Sequence, residues 1–378
     1  MPKTFVIPKQ TLPYIAGRKL HAMKIRDGFE NKPWANYLVY LANKGEIAIR
    51  PTSQTIIEQG TAETLLPIWE ENFSVNLPYI KNGDSTVVQH ATGDEGHTIA
   101  EIATSEVKGN PEHSAIVVGR GPSIFKHKHL EILADAKKNG TYTGLIVATD
   151  GMLLECLQRN ILPDLTVSVD GSPIIKQWYD NVLVKKYGDK LKIALPATIN
   201  NSVYKTCVTN GCHVYWYIPM LDAYLYNESL TRIMRALTKT PNNPNGLTMC
   251  SLGGNAGSAA WVMSSQVLKC APVCLIGIDF GYPEGTKLAD TCYYSTMIQN
   301  SIQVQEMYGE IYHPFFKTKA YIDRVFDHYR QAFRDLQSQS PPWFQPAGGT
   351  INCTEGGTLW GHGIKCMRFA DFLSKYHK

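Results

Sequence analysis

The stretch Val147-Ala-Thr-Asp-Gly-Met-Leu-Leu-Glu-Cys-Leu-Gln-Arg-Asn-Ile-Leu-Pro-Asp-Leu-Thr-Val-Ser-Val-Asp-Gly-Ser172 decides the fold of this chain. Two apolar runs, Leu145–Ala148 and Leu165–Val169, lead into its Asp150-Gly151 and Asp170-Gly171. A helical stretch and the turn pair Pro163-Asp164 lie between them. Strand, helix and strand in such short order make a βαβ unit, and a βαβ unit calls for parallel strands. Three carboxylates then fall at the ends of elements, and strand ends are where α/β sheets bind ligands.

The same grammar extends in both directions. Upstream, Ala115-Ile-Val-Val118 is a continuous apolar run ending in Gly119-Arg-Gly-Pro-Ser123, with helical spacing over Ile124–Lys138. Downstream come Ile193-Ala-Leu195, Val214-Tyr-Trp-Tyr217 and Val273-Cys-Leu-Ile276, separated by helical stretches. Unbroken apolar runs are the mark of strands buried on both faces. The expected fold is α/β: a Rossmann-like, mostly parallel sheet flanked by helices, carried by residues 113–285. Residues 1–112, with an amphipathic pattern over Gln54–Glu70, read as an N-terminal accessory region. Residues 286–378 read as a C-terminal helical extension completing the site. Tyr321, Val325, Phe326, Tyr329 and Phe333 are spaced for a helix over Lys319–Leu336.

Composition bounds the function. A chain of 378 residues with 44% hydrophobic and 19% charged content buries a large core. A net charge of +4 suits phosphorylated anions and is too small to argue for nucleic acid. No run approaches the roughly 18 apolar residues of a membrane span, and Met1–Pro8 lacks a signal-peptide core, so a cytoplasmic protein is expected. The nine cysteines form no CxxC pair, which points to reduced thiols rather than structural zinc. Homo-oligomer formation is left open.

Six groups of residues are candidates for chemistry. Gly119 and Gly121 let backbone approach an anion, and Ser123 caps a helix or bonds a phosphate. Asp150, Asp164 and Asp170, with Gly151 freeing the first turn, suit Mg²⁺, which takes one or two carboxylates plus substrate phosphates. Helix capping by Asp150 and Asp170, and a simple turn at Asp164, are the structural alternatives. Gly254 and Asn255 open a helix and offer nucleotide contacts, or close helix–sheet packing. Asp279 ends another apolar strand. Asn352, Thr354 and Glu355 cluster beside a glycine pair. His313 is a candidate for proton transfer, against the commoner role of a packed histidine. GxSxG, HExxH and Walker P-loop patterns are missing.

Taken in order, Ile116–Ser123, Asp150-Gly151, Ile161–Asp164, Val169-Asp170, Gly253–Gly257 and Ile276–Asp279 resemble the MptE-like family of 6-hydroxymethylpterin diphosphokinases. That family shares its core with the Maf motility-associated glycosyltransferases, and Asn352–Gly357 resembles the end of the longer, Maf-type members. The carboxylate arrangement is also similar to thiamin pyrophosphokinases, whose second strand end carries more acid than Ser168-Val169-Asp170. The resemblance implies an ATP- and Mg²⁺-dependent pyrophosphoryl transfer to a 6-hydroxymethylpterin-like alcohol. Asp150, Asp164 and Asp170 would hold the metal, and Gly119–Ser123 the phosphates. The Maf side implies glycosyl transfer from a CMP-activated nonulosonic sugar to a protein or glycan hydroxyl, with Gly119–Ser123 and Asn255 on the nucleotide.

Overall fold

The computed structural model describes residues 53–82, 97–98, 113–221, 229–241, 243–299, 308–361 and 363–377. Among the described residues ten strands form one sheet: β1 (His97–Thr98), β2 (Ala115–Val118), β3 (Leu145–Thr149), β4 (Leu165–Val167), β5 (Lys192–Pro196), β6 (His213–Pro219), β7 (Met249–Cys250), β8 (Val273–Ile276), β12 (Thr350–Asn352) and β13 (Lys365–Cys366). Their order is β1-β6-β5-β4-β3-β2-β8-β12-β13, with β7 beside β6, and every pair is parallel. The chain lays β2 to β6 outward on one side, then crosses β2 and lays β8, β12 and β13 on the other. The topological switch point is therefore between β2 and β8, where open α/β sheets form a ligand crevice.

Both faces of the sheet are covered, which is why the strands read as unbroken apolar runs. Ala115 and Val117 pack with Ala259, Ala260 and Trp261 of helix α5 (Ala256–Val262). Ile116 and Val118 face the other way, onto Leu130 and Leu133 of α2 (His129–Lys138) and Phe369 and Phe372 of α7 (Phe369–Lys375). Successive strand residues alternate between faces, so one four-residue strand serves two core layers. Between these helices, α1 is Ser53–Asn82, α3 Asp150–Gln158, α4 Asn201–Thr209 and α6 Arg324–Ser338.

Four expectations are revised. The Ile124–Lys138 helix is broken: Ser123–Lys126 forms one turn, and Lys128 adopts φ 52° before α2 begins. The Lys319–Leu336 helix starts later. Thr318–Asp323 is a strand, β11, paired with β10 (Tyr308–His313) and β9 (Tyr282–Pro283) in an antiparallel sheet. Asp323 then caps α6, its Oδ1 accepting from the Phe326 amide at 2.7 Å. The C-terminal extension is not merely helical, because β12 and β13 continue the main sheet past residue 285. The Gln54–Glu70 pattern lies within a longer helix that runs on to Asn82. All nine cysteines are free. Among the described residues no helix is long and apolar enough to cross a membrane.

Candidate functional site

The loops after β2 and β8 interlock at the switch point. The Gly119 amide donates to Ile276 O at 2.9 Å and the Gly121 amide to Gly277 O at 2.7 Å. A Cβ on Gly121 would overlap the Asp279 carboxylate and lie 2.7 Å from Gly277 O. Ser123 Oγ donates to Asp279 Oδ2 at 2.8 Å. The glycines at 119 and 121 thus serve the approach of one loop to another, and their amides are already engaged. Asp279 is enclosed, and burial pushes its carboxyl up to about 7, against the hydrogen bonds from Ser123.

Asp150 and Asp170 follow the neighbouring strands β3 and β4 beside this junction, near enough for the charge of Asp170 to act on Asp150. Asp150 follows β3 as the first residue of α3, and its Oδ1 accepts from the Gly151 amide at 2.7 Å. Burial pushes its carboxyl up to about 6; a hydrogen bond from Ser168 and the charge of Arg120 oppose the shift, and the charge of Asp170 adds to it. Asp170 follows the neighbouring strand β4, is exposed, and accepts from the Ser172 amide at 2.9 Å. Beneath them Ser168 Oγ shares a hydrogen bond with Tyr179 Oη at 2.7 Å, and Tyr217 Oη donates to Ser168 O at 2.6 Å. This network fixes the β4 strand end from below.

The other predicted residues disperse. Asp164 is at the opposite end of the sheet: its Oδ2 accepts from the Ile146 amide at 2.8 Å, at the start of β3. Four residues of strand, about 13 Å, separate Ile146 from Asp150. The three-carboxylate metal set therefore does not assemble, and among the described residues no group of three His, Cys, Asp or Glu side chains is placed to hold a metal. His313 is buried; Nε2 bonds Leu359 O at 3.3 Å and Nδ1 accepts from the Phe316 amide at 3.2 Å, so both ring nitrogens are spent on the fold. Asn352 donates to Leu359 O at 2.7 Å and accepts from the Thr354 amide at 2.9 Å, while Thr354 Oγ1 donates to Gly356 O at 2.8 Å. These two shape the loop after β12 rather than face a ligand. Asn255 caps α5, accepting from the Ser258 amide at 2.9 Å, and its amide group donates to Gly253 O and Ser258 Oγ. Gly254, at φ 76°, lies against the Tyr329 ring, where a Cβ would stand 3.0 Å from Cε1.

Glu355 reaches the switch point from the β12 loop. Its Oε1 accepts from the Phe369 amide at 3.1 Å and meets His129 Nε2 at 3.3 Å. It lines a cleft with Ser123, Lys126, His127 and Asp279.

Sequence reading missed several neighbours of Asp150. Arg120, inside the glycine turn, stacks its guanidinium over Trp178 at 4.5 Å and approaches Gly151. The long helix α1, expected only as accessory structure, bears on the site. Buried Asn72 donates to Gly171 O at 2.9 Å and Thr198 O at 3.0 Å; buried Asn76 donates to Ala197 O at 3.0 Å and Ile199 O at 2.7 Å. Trp69 packs on Gly171, beside Asp170. The i, i+4 spacing of the two asparagines was a visible signal, because it puts two amides on one helix face.

A model of the family described as 6-hydroxymethylpterin diphosphokinase MptE-like matches residues 87–285, more than half of the chain. The chain belongs to the MptE-like family. A Maf glycosyltransferase from Magnetospirillum magneticum AMB-1 shares the fold, with a TM-score of 0.52 and 12% identity over 89% of this chain. The MptE-like chain spans 41% of that protein's length. A search of curated proteins finds no match. The match ends at residue 285, so β12, β13 and Glu355 of this MptE-like protein lie beyond it.

Proposed function

We propose that the protein is a nucleotide-dependent transferase, and that it moves a sugar from a CMP-activated nonulosonic donor to a hydroxyl acceptor. The observation that carries this reading is the pair Asp150 and Asp170 on neighbouring strand ends, with Arg120 reaching in from the switch-point loop. Arg120 is suited to the donor phosphate, since a guanidinium pairs with phosphate oxygens through a planar fork. Two hard carboxylates fit Mg²⁺, whose remaining positions are normally filled by water and substrate phosphate. When bound there, Mg²⁺ supplies charge neutralisation at the leaving phosphate. Asp150 ties this to protonation: a cation beside it favours its ionised form, so ligand binding releases a proton held near pH 6.

Charge separates the candidate donors. A CMP-sugar brings one phosphate, which a carboxylate-bound cation and Arg120 can balance. A triphosphate brings several charges, and the third carboxylate of the expected cluster, Asp164, is bound to Ile146 instead. Likeness to the Maf glycosyltransferase also extends over 89% of the chain, well past the family match. Pyrophosphoryl transfer from ATP to a hydroxymethylpterin-like alcohol is the second reading, favoured by the description of the family matched over residues 87–285.

The test is incubation of the full chain with Mg²⁺ and either a CMP-nonulosonate or ATP plus reduced hydroxymethylpterin, with nucleotide products resolved chromatographically. CMP release that is lost in Asp170→Asn supports glycosyl transfer. AMP release supports the second reading. If neither nucleotide is consumed and neither raises the melting temperature, both readings fail.

A further inference from the structure

The cleft beside Glu355 is built differently from the Asp150 side of the switch point. The loops after β2, β8 and β12 and the β10–β11 turn enclose it around a space of about 20 Å³ that opens to solvent at its mouth. Its walls present hydrogen-bond donors that the fold leaves unused. Thr318 lines it, and its buried hydroxyl has no partner. The Gly356 and Gly357 amides donate to no acceptor among the described residues. Gly357, at φ 70°, lies so close to the Asp279 backbone that a side chain there would strike it, so this loop is held against the β8 loop. The Thr358 amide and hydroxyl lock the same contact by donating to Asp279 O and Phe280 O at 2.9 and 2.8 Å. Lys126 is exposed on the rim.

Each of the cleft's two carboxylates has one oxygen engaged by the fold. Glu355 Oε1 is held by His129 and the Phe369 amide, and Asp279 Oδ2 by Ser123. Lys319 is paired with Glu310 at 3.0 Å and adds little. The remaining groups are a hydroxyl, two amides and an ammonium, all donors. A buried hydroxyl without a partner, as at Thr318, is costly, and a ligand oxyanion would satisfy it together with the two amides and the rim ammonium.

We propose that this cleft is an oxyanion subsite, taking a phosphate or carboxylate group of a substrate on Thr318, Lys126 and the Gly356 and Gly357 amides. It is separate from the Asp150–Asp170 edge and does not rest on the choice of donor made above. Two strand spacings, about 10 Å, separate the ends of β3 and β8, so one extended substrate can reach both.

Isothermal titration of the full chain with inorganic phosphate, and separately with glucuronate, tests the assignment. Binding of either probe that weakens at least fivefold in Thr318→Val and in Lys126→Gln, but not in Arg120→Gln, supports it. The probe that binds identifies the group as phosphate or carboxylate. Three results overturn it: no binding of either probe to folded wild type, binding indifferent to Thr318→Val and Lys126→Gln, or binding lost only in Arg120→Gln.

Discussion

Asp150→Asn is expected to make the protein more stable and less active. The carboxyl ordinarily titrates at 3.8 and is held here at about 6, chiefly by burial. Each tenfold change in proton affinity is worth about 1.4 kcal/mol, so ionised Asp150 carries a penalty of at most about 3 kcal/mol. The sign follows from linkage. Between pH 3.8 and 6 the unfolded chain has lost this proton and the folded chain keeps it, so rising pH removes stability until the folded group ionises. Above that window the penalty is constant. Asparagine cannot ionise, and its carbonyl oxygen can still accept from the Gly151 amide. The expected gain is about 2–3 kcal/mol near pH 8, shrinking below about 1 kcal/mol near pH 4. Urea denaturation of both proteins at the two pH values measures it, and turnover by the same variant should collapse. A gain of equal size at both pH values, or a loss at the higher one, would refute the claim that Asp150 is an ionised group held at a cost.

Asp170→Asn should leave stability within about 1 kcal/mol, since the side chain is exposed and asparagine can still accept from Ser172. Its turnover should fall at least about a hundredfold, and unchanged turnover would remove the cation role. Gly121→Ala should cost about 3 kcal/mol in ligand-free denaturation, because the new methyl displaces the Asp279 carboxylate from Ser123. A glycine kept only for phosphate approach would show no such loss. Asn76→Ala strands the Ala197 and Ile199 carbonyls, and should cost about 2–3 kcal/mol while raising hydrogen exchange across α1. Exchange confined to the substituted turn would argue against α1 being pinned by these bonds.

Much of the architecture was legible locally. The apolar runs of β2, β3, β5, β6 and β8 read as buried parallel strands because both faces are covered, and the Asp-Gly pairs at 150–151 and 170–171 marked turns after β3 and β4. Thr318–Asp323 misled because a strand this short cannot be told by apolar spacing from a further turn of the helix that Asp323 caps. β12 is only three residues, Thr350–Asn352, and its place beside β8 in the main sheet is a tertiary fact that its sequence does not carry.

Residue chemistry named the right loops more often than the right roles. Gly119, Gly121 and Ser123 have the composition of an anion turn, yet the partner that arrives is the β8 loop. Asn255, Asn352, Thr354 and His313 were picked for their polar groups, and the fold uses those groups on its own backbone, because buried donors and acceptors must be paired. By itself the sequence determined the parallel α/β sheet and the delivery of Asp150 and Asp170 to strand ends, since alternation, turn residues and strand length are local properties. Only the tertiary structure decided which carboxylates meet. Asp164 stands just before β4 and Asp170 just after it, so the first meets the start of β3 at Ile146 and the second lies beyond the far end of the same strands.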